Sequence, residues 1–191
     1  MSKFIIIVTL IFSLFFSHSG HAVEKFVELQ TGSLMGMAHI SFGLTLHKNH
    51  NFSIGIGFVP ELDSHEEMTL TSLKYRYEGD TRIESELFGT SITISPFNFG
   101  LASLIGHQDE IYKKSPDYLP DGYYFPTAKR VIFNYQTVVS FNSDLQVYMD
   151  WSVLDVGLIN YVRNFEFYND NYDAFGLEGI VSYGFGIRKR F

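Results

Sequence analysis

The sequence predicts an all-β protein: an antiparallel up-and-down transmembrane β-barrel of eight strands, with ten as the alternative count. Three observations carry this. Stretches of about ten residues alternate strictly between apolar residues and polar or small ones, the period-two signature of a strand with two unlike faces. The second face is mostly small or neutral, which suits the crowded inside of a small barrel better than the charged outer face of a soluble sandwich. The connections are short at one end and mostly long at the other, as in barrels with short periplasmic turns and longer outer loops.

The first segment, "MSKFIIIVTLIFSLFFSHSGHAVEKF", reads as an export signal entering the barrel. Lys3 gives a positive start, Phe4 to Phe16 an apolar core, and Gly20 and Ala22 the small residues of a cleavage site. Residues 1–22 are therefore expected to be a signal peptide and residues 23–191 the barrel domain. The apolar run is shorter than the roughly 20 residues a membrane-spanning helix needs. With no later run of that kind, any membrane passage must use a closed barrel, because an open sheet edge is not tolerated in lipid. The chain has no cysteine, so no disulfide or thiolate metal site is available. Its formal charge of −7 argues against nucleic acid as a partner.

Strand by strand, "KFVELQTG" turns Val27, Leu29 and Thr31 outward. "AHISFGLTLH" sets Ala38, Ile40, Phe42, Leu44 and Leu46 against His39, Ser41, Gly43, Thr45 and His47. "FSIGIGFV" repeats the pattern with Phe52, Ile54, Ile56 and Phe58. "MTLTSLKYRY" has Leu73, Tyr75 and Tyr77 outward, and "SELFGTSITI" has Phe88, Ile92 and Ile94. "KRVIFNYQTVVSF" and "LQVYMDWSV" follow, with Val131, Phe133, Tyr135 and then Val147, Met149, Trp151 on the lipid side. "GIVSYGFGIRKRF" closes the set. "FNFGLASLIG" and "LINYVRNFEFY" alternate well enough to supply the two extra strands of a ten-stranded barrel.

Periplasmic turns are expected at His47–Asn51, Glu78–Glu84 and Asn142–Asp144, where turn-forming residues cluster. Outer loops fall at Ser33–Met37, Pro60–Glu67, Pro96–Thr127 and Ile159–Leu177. Within the third, "HQDEIYKKSPDYLPDGYYFPT" holds three prolines and a tyrosine-rich stretch. Tyr123, Tyr124 and Phe125 beside Pro126 suit a lid over the barrel mouth or a surface-recognition patch.

The inward faces carry a polar network: Glu28, Lys74, Arg76, Asp150 and Arg188. Buried charges need partners, so the three cations are expected to pair with the two carboxylates. Eight strands enclose just enough space for side chains, so a filled plug is expected rather than an open pore. Gly43, Gly55, Gly57, Gly184 and Gly186 would leave room for the longer ones. A competing catalytic reading rests on His39 and Ser41, two apart on one strand, with Glu28 as orienting carboxylate. Metal binding finds little support: His47 and His50 in a turn, and His65 beside Asp63, Glu66 and Glu67, make no recognisable ligand set, and no cofactor is implied.

The closing strand carries the most specific motif. Val181, Tyr183, Phe185 and Ile187 alternate outward, and the chain ends on Phe191. In this it resembles the small outer-membrane β-barrel proteins of Gram-negative bacteria, which include the transmembrane domain of outer membrane protein A, the opacity adhesins and the lipid A-modifying barrels. The resemblance implies a monomer in the bacterial outer membrane, reached after export through the inner membrane. It implies contact with outer-membrane lipid and lipopolysaccharide, and reading of the last strand by the barrel-assembly machinery through Tyr183, Phe185, Ile187 and Phe191. Lys189 departs from the apolar residue usual at its position, although a rim lysine can snorkel to water. "HIS" at 39–41 looks like the His-x-Ser element of lipid A deacylases, but its surroundings do not match and its register points inward. The expected role is structural or surface-interacting, with a lipid A-directed acyl hydrolase or acyltransferase as the alternative.

Overall fold

A computed structural model describes residues 23–46, 48–61, 66–108, 128–141, 144–163, 165–166 and 181–191. The expected signal peptide, His47, Asp63, His65 and the Tyr123–Phe125 patch lie outside the described residues.

Alternation forces these segments into extended chain, because only a strand sends successive side chains to opposite faces. Among the described residues these elements follow in order: β1 (Glu24–Gly32), β2 (Ala38–Leu46), β3 (His50–Val59), β4 (Met68–Glu78), β5 (Ile83–Leu87), β6 (Thr90–His107), β7 (Lys129–Phe141), β8 (Leu145–Leu154), α1 (Asp155–Arg163) and β9 (Val181–Arg190). Eight of the strands close a ring, each antiparallel to the next, with β4 pairing β6 and β9 returning to β1. One path round the ladder runs Val181, Val153, Phe133, Leu101, Tyr75, Phe52, Leu44, Lys25 and ends at Phe191. One circuit thus advances from residue 181 to residue 191 on the same strand. That stagger tilts the strands, typically by roughly 35–45° in closed barrels.

The fifth ring strand is not the expected one. "SELFGTSITI" does not cross the barrel: it breaks at Phe88 and Gly89, whose φ values of 51° and 75° make a tight turn between β5 and β6. Both central residues in the left-handed region is the mark of a type I′ hairpin. "FNFGLASLIG" supplies the crossing instead, as the half of β6 that pairs with β4. The ring therefore stays at eight, and the expected short turn at Glu78–Glu84 is replaced by a hairpin standing outside it. A register shift between Ser95 and Asn98 accommodates Pro96, which has no N–H to give the ladder. Ile92, expected to face lipid, is buried. "LINYVRNFEFY" is not a tenth strand either; α1 runs through its first part, with Asp155 in its first turn and Arg163 in its last.

The connection between β1 and β2, expected as an outer loop, folds back into the barrel mouth. Gly32, Ser33, Leu34 and Gly36 all have positive φ, and this winding turns Met35 inward to zero exposure. There it packs with Ala102, Leu104 and Ile132, backed by Leu34 and Leu154. Gly57 lies directly under the Met35 carbonyl, where any side chain would collide with backbone.

Candidate functional site in the barrel interior

The faces of the ring are inverted relative to a water-soluble protein. Every ring strand exposes a large apolar residue, from Leu29 on β1 through Ile40, Ile54, Leu73, Phe99, Phe133 and Trp151 to Ile187 on β9, with exposures between 42% and 61%. Inward positions on the same strands are polar and buried, including Glu28, Ser41, Asn51, Ser72, Asn98, Gln136, Asp150 and Arg188.

Glu28 is the hub of that interior. Arg188 donates to its Oε2 from Nε at 3.0 Å and from Nη2 at 2.6 Å. Lys74 pairs with Oε1, and Arg76 Nη1 lies 3.5 Å from Oε2. Three cations on one carboxylate are tolerable only because amides and a second carboxylate share them. Lys74 also donates to Gln30 (3.2 Å), Arg76 to Gln136 (2.7 Å), and Arg188 to Gln146 (2.9 Å) and Glu78 (3.4 Å).

Arg188 is also held by packing. Its guanidinium lies 5.1 Å from the centroid of Phe26 and 5.2 Å from that of Tyr148, within cation–π range of both rings. Those rings fit because of two glycines. A Cβ on Gly43 would strike the Phe26 ring, and one on Gly186 would strike Tyr148. The sequence thus places a glycine behind each ring, and the rings flank the arginine.

Asp150 departs from the expected pairing, since none of the cations bridges it. Its oxygens accept from Gln30 (2.9 Å) and Asn134 (3.3 and 3.4 Å). Asp150 sits on β8 beside Gly184 and Gln136 in the ladder, nearer the Ser33 and Ser152 hydroxyls of the mouth than Glu28 is. Glu78 takes the second-carboxylate role. It accepts from Arg190 Nη2 (2.6 Å) and Asn51 Nδ2 (3.1 Å), and lies 3.8 Å from Arg82. Its assignment to a turn hid this, although its spacing of two from Arg76 puts it on the same inward face.

His39 and Ser41 do not pair. His39 Nε2 lies 2.8 Å from Ser72 Oγ, reaching across Gly55, where a Cβ would meet the imidazole. Ser41 donates to Glu28 at 3.4 Å. Glu28 therefore touches the serine rather than the histidine, the reverse of a triad, in which the carboxylate orients the base. His39 Nδ1 is buried with no partner among the described residues. His50, expected in a turn, is bonded to Tyr75 Oη at 2.9 Å, and no metal-binding group of three ligands occurs among the described residues.

The closing-strand residues line the outer wall. Tyr183 contacts Trp151 with ring centroids 6.2 Å apart, while Phe185 and Ile187 are exposed. Phe191 exchanges backbone hydrogen bonds with Lys25 and lies 6.4 Å from Phe42, ring to ring. Lys189 pairs with Asp144 at 3.3 Å.

No protein-family model matches the chain, and no curated protein matches it. Among solved structures, it is similar to the N-terminal β-barrel domain of Pseudomonas aeruginosa OprF, at 13% sequence identity and a TM-score of 0.42. That likeness covers 88% of this chain and 97% of the other.

Proposed function

We propose that this chain is an integral outer-membrane β-barrel protein with a side-chain-filled interior, acting structurally or in surface interaction rather than as a channel. The observation that carries this is the closed ring with apolar residues exposed on all eight strands and polar residues buried within. In water so much exposed apolar surface would drive association, whereas in lipid it is the favourable face. Closure of the ring leaves no unpaired edge among those eight strands, which is the condition for crossing hydrocarbon. Cell fractionation tests the reading. The protein should stay with the outer membrane, require detergent for release, and run faster on gels unheated than boiled. Recovery in the soluble fraction would overturn it.

The plug makes a separate prediction. A cavity of about 20 Å³ lies between Lys74, Arg76, Asn134, Gln136 and Asp150. That is room for roughly one water. Liposomes carrying the protein should therefore swell no faster in small sugars than empty liposomes. Measurable sugar flux would sink the filled-interior reading while leaving the membrane assignment intact.

The acyl hydrolase or acyltransferase reading draws no support from the interior geometry, where His39 and Ser41 serve different partners. Replacing both by alanine should leave the lipid A mass profile of expressing cells unchanged. A profile that changes on expression of the wild type and reverts with H39A/S41A would restore catalysis.

A further inference from the structure

We propose that β5 and the turn that follows it form a docking edge for a basic, extended segment of another protein. The inference goes beyond the membrane reading above and rests on it only in setting lipid aside as the occupant and in handling the barrel in detergent.

Four observations carry it. First, β5 pairs only with β6 among the described residues, and all five of its residues are exposed. Its outer edge therefore offers unpaired backbone groups, a ready template for another strand.

Second, the hairpin is held in place. Arg82 donates to Ser95 Oγ at 2.8 Å and to the carbonyls of Gly79 and Thr81, and lies 3.8 Å from Glu78. Gly79 N–H donates to the Phe97 carbonyl at 2.9 Å, and the other side of β6 is paired to β7 from Ile92 to Ser95. An edge fixed in this way spends little ordering entropy on binding.

Third, Phe88 occupies the turn at φ 51°, a conformation that a bulky side chain adopts only at a cost. Asparagine or glycine would make the same turn more easily. The residue is 99% exposed, so nothing among the described residues repays that cost. A strained, fully exposed aromatic at the tip of a fixed hairpin is an anchor awaiting a pocket.

Fourth, the charge pattern selects the occupant. Glu84 and Glu86 lie on one face of β5, and Ile83, Ser85 and Leu87 on the other. A second copy pairing antiparallel about Ser85 would set each Glu84 opposite the other copy's Glu86, and like charges directly opposite destabilise a pair. Burial of those carboxylates in hydrocarbon is costlier still. A strand with Lys or Arg at alternate positions meets both carboxylates, and its intervening apolar residues meet Ile83 and Leu87. Such a segment comes from a protein that also offers an apolar pocket for Phe88.

The test uses the detergent-solubilised full barrel and a short fluorescein-labelled peptide alternating lysine and valine, with a glutamate–valine peptide as the opposite probe. Fluorescence anisotropy should show the lysine peptide binding and the glutamate peptide not. E84K/E86K should exchange that preference. F88A should weaken, by about tenfold, binding of the same lysine peptide carrying a terminal β-cyclodextrin, whose apolar cavity takes an aromatic ring. Amide exchange at 83–87 should slow when the peptide is present. Unheated gel mobility verifies that each variant is folded. Failure of the lysine peptide to bind, or binding indifferent to E84K/E86K, would overturn the proposal. So would a disulfide-linked dimer formed readily by S85C alone, because it would make a second copy the occupant.

Discussion

Glu28→Gln should unfold the barrel at urea concentrations that leave the wild type intact. Glutamine keeps the shape and reach of the side chain, removes its charge and replaces one acceptor oxygen by an amide donor. Among the described residues, Lys74 and Arg76 would then keep no carboxylate partner and Arg188 only Glu78, which already holds Arg190 and Asn51. Removing one partner of a buried ion pair costs about 3–5 kcal/mol, because the charge left behind has lost its water as well as its counter-ion. Here three cations share the loss. The gel transition between compact and unfolded forms in urea, run in micelles, reads the effect. A double variant separates this cause from general damage. Lys74→Met removes one of the like charges, so adding it to Glu28→Gln should cost less than the two single changes summed. Strict additivity, or a Glu28→Gln midpoint equal to the wild type, would remove Glu28 from the centre of the interior.

The alternation that makes these strands legible is strong where one face is apolar and exposed and the other a packed polar core. Along β1 to β4 and β7 to β9 a single-residue slip would exchange those faces, so pattern and register must agree. That constraint weakens around β5 and β6. Ser85–Ile94 and Phe97–Gly106 both alternate, and only one of them can cross. The deciding signal is Phe88-Gly89, which turns the chain without the usual Asn-Gly pair and so does not look like a hairpin. α1 is hidden for a similar reason, since "LINYVRNFEFY" suits either period over a short span. Within the interior, parity explains which side chains share the space but not how they choose partners. Asp150 was expected to take a cation; amides from Gln30 and Asn134 occupy it instead, and Glu78 near the opposite rim accepts the surplus arginines. That choice depends on the stagger of the ring, which sets residues from distant strands at one level, and no local pattern records it. The inward fold of Met35 has a faint signal in "GSLMGM", where apolar residues sit between glycines in a segment otherwise read as a wet loop.

Gly184→Ala should prevent closure of the ring, whereas Gly186→Ala should only loosen it. Both glycines face inward on β9, two residues apart, and both lack room for a methyl group. The difference lies in what the methyl meets. At Gly184 it meets the backbone of β1 and the turn beyond: the Thr31 carbonyl, Gly32 C and Ser33 N, the last two at 2.8 Å. No rotamer relieves that, so β1 and β9 must separate where the ring closes. At Gly186 the methyl meets the outer end of the Tyr148 ring, a side chain that can be shortened. Overpacking of that kind costs about 1–3 kcal/mol. Tyr148→Leu should recover part of the loss in the Gly186→Ala background and none of it in Gly184→Ala. The seam can be read directly, because the chain has no cysteine of its own. Leu29 and Ile187 are cross-strand partners on the outer wall, so cysteines there should oxidise to a disulfide in the wild-type background and in Gly186→Ala. They should stay reduced with Gly184→Ala. Efficient crosslinking in that variant would mean that the seam yields elsewhere and that contact with backbone is not what requires glycine at 184.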